Sequence, residues 1–165
     1  MKNLFVFVII IIATFTQFSK CDSYYWTNGG NDNDFTKGYN WLDKYDDIFT
    51  NSDDFQIDMD SPDHAIIGIN GASAVGRWVL VAKVNNSVGD LRVIGGVSNF
   101  SKGLSIGGND GDAHNAQGYF TVSGGEINFP ESFISIGQNG YGNMEVTGGT
   151  CMADRGNIAS GGSSQ

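Results

Sequence analysis

The chain has 165 residues, among them 24 glycines, with 18 acidic against 9 basic side chains and a formal net charge of −9. Acidity of this degree opposes binding to nucleic acid or anionic lipid. Aromatic residues make up 12% of the chain, which together with its β-branched content excludes wholesale disorder.

The first segment, residues 1–21, reads as a signal peptide. Lys2 supplies the positive start, and Leu4 to Ala13 form an unbroken apolar run. That run fits the ~7–15 residues of a signal core and falls short of the roughly 20 that span a bilayer. Thr14–Lys20 is more polar, and Ser19 fits the small position before a cleavage after Cys21. Lys20 stands where a bacterial lipoprotein wants a small residue. Cleavage leaves 144 residues with 7 basic against 18 acidic side chains, a net charge of −11. The mature chain is expected to be secreted and extracellular, with no membrane insertion after signal removal. Its expected partners are neutral glycans or matrix, cations, basic proteins or mineral surfaces, and not nucleic acid. If Cys21 leaves with the signal, Cys151 is alone; if it stays, one long-range bridge is conceivable.

Residues 22–64 form an acidic and aromatic segment. It holds eleven aspartates, Trp26 and Trp41, and Tyr24, Tyr25, Tyr39 and Tyr45. From Ala65 the character changes to short apolar runs bounded by Gly, Asn, Asp or Ser, such as Ala65–Ile69, Trp78–Val84, Leu91–Ile94, Leu104–Ile106, Tyr119–Val122, Phe133–Ile136 and Met144–Val146. No helical spacing persists beyond two turns, and glycine recurs too often for a stable helix. The runs and turn signals predict strands.

Internal repetition sharpens this reading. Leu104-Ser105-Ile106-Gly107 matches Ile134-Ser135-Ile136-Gly137, and Gly118–Gly125 matches Gly142–Gly149 with a shared Val-Ser/Thr-Gly-Gly ending. The first marks are 30 residues apart and the second 24 apart, so the six-residue excess belongs to the Gly108–Gln117 loop. Leu91–Gly96 reads as a degenerate earlier copy, and Ile158–Gly162 as the start of a later one. Repeats of this length predict stacked coils in which Ile106 lies over Ile136 and Val122 over Val146, with glycine at the bends. The expected fold is therefore all-β: a short right-handed parallel β-helix (solenoid) over 65–165, behind an N-terminal cap over 22–64.

Tyr25-Trp26-Thr27-Asn28-Gly29-Gly30, Asp34-Phe35, Asn40-Trp41 and Pro62-x-x-Ala65-Ile66-Ile67 resemble the opening of bacterial autotransporter-like β-helix passengers and related exported glycine-rich repeat proteins. The likeness runs over nearly all of residues 25–162. It implies a capped solenoid that is secreted or displayed at a surface, and it implies nothing about catalysis. Two departures from the resemblance are expected: the usual long array is missing from these residues, and no membrane-anchoring barrel is expected after Gln165. A naturally short member, a fragment, and an oligomer that self-associates through an uncapped C-terminal end all remain open.

Candidate sites are few. Asp32-Asn33-Asp34 alternates oxygen ligands, yet Lys37 stands where a calcium loop needs glycine, and no glutamate follows at the twelfth position. Asn109-Asp110-Gly111-Asp112 is a similar lure. Asp58 and Asp60 are spaced to share a strand face, and Asp53 and Asp54 lie near them, but acids on a solvated edge also block aggregation. His64 and His114 have no Cys or second His at ligand spacing. Thr121 and Thr147 suggest one weak threonine column of the kind an ice-binding face would need. The aromatics of the cap either stack on sugar rings or plug the end of the coil. Asn85-Asn86-Ser87 and Asn99-Phe100-Ser101 place glycosylation acceptors at Asn85 and Asn99 in a eukaryotic host. No catalytic residue, cofactor site or metal site is assigned. The expected role is non-catalytic: structural, adhesive or glycan-binding. A polysaccharide-active enzyme or its remnant, and a salivary or venom-type effector, are the competing readings.

Overall fold

The computed structural model describes residues 22–44, 46–58, 64–108 and 114–158; the leader, Tyr45, Asp60 and the Asn109–Asp112 stretch lie outside them. Nine strands follow in chain order: β1 (Ser23–Trp26), β2 (Trp41–Leu42), β3 (Asp54–Ile57), β4 (Ala65–Ile67), β5 (Val75–Val81), β6 (Val88–Ile106), β7 (Gln117–Ile136), β8 (Tyr141–Val146) and β9 (Thr150–Ile158). The described helical content is two three-residue 3-10 turns, Gly38–Asn40 and Ile69–Gly71. No helix of the described residues is long and apolar enough to cross a membrane.

Every named strand pairing is parallel except that of β2 with β1. The sheet winds upon itself, so one ladder column runs Ile57, Val81, Ile106, Ile136, Ile158. This is a β-solenoid of about four turns. A second column stacks Ala65, Leu91, Phe120 and Met144, and a third Ile67, Val93, Val122 and Val146. The expected stacking of Ile106 on Ile136 and Val122 on Val146 is therefore present. Successive members of the first column are 24, 25, 30 and 22 residues apart, and the longest interval carries the extra residues between β6 and β7. The parallel ladder also reaches back into the acidic segment, because β1 and β3 share the register of β5.

The threonine column is not formed. Thr121 lies over Glu145, and Thr147 falls two residues later, where its N–H donates to the Val122 carbonyl. In the sequence repeat Thr147 matches Ser123 rather than Thr121.

Alternation along each strand sends one set of side chains inward. Phe35, Phe55, Phe100, Phe120 and Phe129 are fully buried in a single core with the stacked aliphatics. Phe55 and Phe100 meet edge to face at 6.4 Å, and Phe100 stacks on Phe129 at 5.9 Å. Glycine makes the corners possible: Gly125 holds φ +72°, and a Cβ there would sit 2.4 Å from the Gly95 carbonyl carbon of the turn before. On the outer face, Gly103 leaves a gap through which Trp78 and Phe133 touch across an intervening turn, ring centroids 5.5 Å apart.

Candidate ligand-binding groove in the N-terminal cap

The cap is built around two buried residues adjacent in sequence. Asn40 is fully buried and uses both ends of its amide. Its Oδ1 accepts from the Gly30 N–H at 2.7 Å, and its Nδ2 donates to Asp32 Oδ1 at 2.6 Å and to the Asp34 carbonyl at 2.9 Å. Trp41 follows on β2. Its Nε1 donates to the Phe35 carbonyl at 2.8 Å, and its ring packs edge to face against Trp26 at 4.9 Å and Phe35 at 4.7 Å. A buried polar group fully satisfied in this way costs little and holds irregular chain in one conformation.

The plug and the sugar-platform readings of the aromatics divide between residues. Trp26 and Trp41 are buried plug residues, whereas Tyr25 and Tyr39 are exposed. Tyr39, 54% exposed, and Leu42, 51% exposed, flank an open groove of about 480 Å3 with Trp41 in its lining and Asp43, Lys44 and Asp47 around it. The Tyr39 hydroxyl donates to Asp32 Oδ2 at 2.7 Å, which fixes the ring on the rim. That bond raises the Tyr39 pKa to about 12 and, with the Asn40 amide, lowers that of Asp32. Asp47 accepts from the Gly38 N–H at 2.7 Å and from Lys37 Nζ at 3.2 Å; the backbone bond first and Lys37 second lower its pKa. Lys44 turns inward. Its ammonium lies 4.8 Å from the ring centres of Tyr24 and Phe49, donates to Asp46 and to the Ile48 carbonyl, and is shielded by aromatic faces.

The other sequence-predicted sites are dispersed. In Asp32-Asn33-Asp34 the oxygens already serve the protein: Asp34 Oδ1 accepts from the Thr36 amide and hydroxyl, and Asn33 Oδ1 from Asn28. Asp53 caps Thr50, Asp54 pairs with Arg77, and Asp58 accepts from Gln56 and from the Lys83 and Val84 amides. No group of three or more His, Cys, Asp or Glu that could hold a metal occurs among the described residues. His64 precedes β4, and His114 lies in the exposed turn before β7. Asn85 is exposed in the turn between β5 and β6, with the Ser87 hydroxyl donating to the Val84 carbonyl at 2.7 Å. Asn99 instead lies on β6, where its Oδ1 accepts from Asn128 of the next turn at 3.3 Å. The Tyr39–Asp32 bond and the inward Lys44 had no signature in the sequence, since each depends on how the loop closes.

The described residues thus form a β-solenoid of about four turns with exposed Tyr25 and Tyr39 at its N-terminal end. Comparison with protein-family models finds no match, and comparisons with curated proteins and with solved structures likewise find none.

Proposed function

We propose that this is a secreted, non-catalytic solenoid protein that holds extracellular glycan in the cap groove. The observation that carries the reading is the rim itself: Tyr39, half exposed yet anchored by Asp32, faces a groove lined by Trp41 and Leu42 with Asp43 and Asp47 beside it. Sugar rings offer apolar C–H faces to aromatic side chains and hydroxyl donors to carboxylates. Because the rim is already ordered, binding immobilises few new degrees of freedom. The resemblance to exported passenger proteins and the apolar leader support release from the cell.

Retention of the purified protein on insoluble polysaccharides tests this directly. Binding to at least one neutral glycan is expected, weakened about tenfold in Tyr39→Ala through loss of one stacking contact worth ~1.4 kcal/mol, with no release of reducing or unsaturated ends. Turnover of the polymer would overturn the non-catalytic reading. Retention unaffected by Tyr39→Ala would remove the groove from it.

A further inference from the structure

The last described turn of the solenoid is formed by β8 and β9, Tyr141–Val146 and Thr150–Ile158. Among the described residues, β8 and β9 pair with β7 on one side and with no strand on the other. Side chains that should be core reach solvent there. Val146 lies over fully buried Val122 yet is 50% exposed, and Met144 and Cys151 are half-buried over fully buried Phe120 and Ile127. An unpaired edge above apolar side chains is a template for another chain.

We infer that this end pairs with the same end of a second copy, forming a twofold tail-to-tail dimer. The opposite end is a poorer mate, because β2 pairs antiparallel with Tyr25 and Trp26 and occupies part of that edge. Charge points the same way. Residues 22–58 hold nine aspartates and two lysines, whereas 141–158 hold Glu145, Asp154 and Arg155. Two nearly neutral tails meet with little repulsion. Under a twofold operator, the strands of one copy run antiparallel to those of the other, and growth stops at two copies.

Sedimentation of the purified protein, expressed from the full chain, over the micromolar range tests the pairing. A concentration-dependent dimer is expected, with association weakened at least about tenfold in Val146→Asp, since each tail then buries a carboxylate. Met152→Glu, at an exposed position of the same end, is expected to do likewise. Far-UV circular dichroism unchanged in at least one variant secures that the fold persists. Cys151 should alkylate faster in the variants than in the dimer. A monomer throughout the range, an open-ended polymer, or a dimer indifferent to both substitutions would overturn the proposal.

Discussion

The two ends of this solenoid solve one problem in opposite ways. At the N-terminal end, Trp26, Phe35 and Trp41 are buried beneath an irregular loop held by Asn40, and β2 turns back to pair the outermost edge. At the other end the repeat runs to its last described rung, and Val146 and Met152 stand about half exposed. A stacked fold buries each rung against its neighbours. An end is therefore closed only by sequence that departs from the repeat, and here that departure is concentrated between β1 and β3.

The contrast is broken most severely by truncating the closed end. Phe55 is fully buried and contacts the rings of Phe35, Trp41, Phe49 and Phe100. Phe55→Ala should cost ~3–5 kcal/mol in chemical denaturation. Val146→Ala removes fewer and half-exposed carbons and should cost under ~1 kcal/mol. Equal losses at the two positions would mean that both ends are equally packed.

The same contrast governs what could be read from the sequence. The repeat half was legible because Ile106-Gly107 and Ile136-Gly137 keep both side-chain parity and corner glycine, and stacking demands both. Ile57 and Val81 belong to the same column, but they lack the Ser-Ile-Gly frame that marks the later rungs. Thr121 and Thr147 share a residue type but not a register, since Thr121 lies over Glu145. The cap was legible as aromatic and acidic only. Its hydrogen bonds join residues seven to ten apart in a loop without period, and no spacing rule announces Tyr39 beside Asp32.

An intermediate effect isolates that bond. With its pKa raised to about 12, Tyr39 keeps its proton in the folded chain where an unfolded tyrosine, near 10, has lost it. The unfolded state then binds fewer protons, so this contribution is present below about pH 10 and is lost as pH rises towards 12. Phenolate absorbance should show Tyr39 resisting ionisation until about pH 12, with Tyr24 also displaced upwards by burial. Asp32→Asn should return Tyr39 towards the ordinary range, because the carboxylate hydrogen bond is the largest cause of the shift. An unchanged titration curve in that variant would remove Asp32 as the anchor of the rim.

The smallest expected effect lies at the open end and runs towards greater stability. Val75, Asn99, Asn128 and Met152 occupy one column, and Asn128 Nδ2 donates back to Asn99 Oδ1. Asn128 Oδ1, by contrast, is buried and has no hydrogen-bond partner. The rung that follows is Met152, which carries no donor. Stacked asparagines in register bond from one strand to the next, so Met152→Asn would offer the missing N–H where the ladder calls for it. The gain from satisfying a buried acceptor is ~0.5–1.5 kcal/mol, offset in part by the loss of half-exposed thioether packing. A small rise in melting temperature at fixed protein concentration is expected, whereas Met152→Leu, which preserves apolar bulk without a donor, should show none. If leucine stabilised as much as asparagine, bulk would be what this end lacks, and the unpaired amide would be incidental to its weakness.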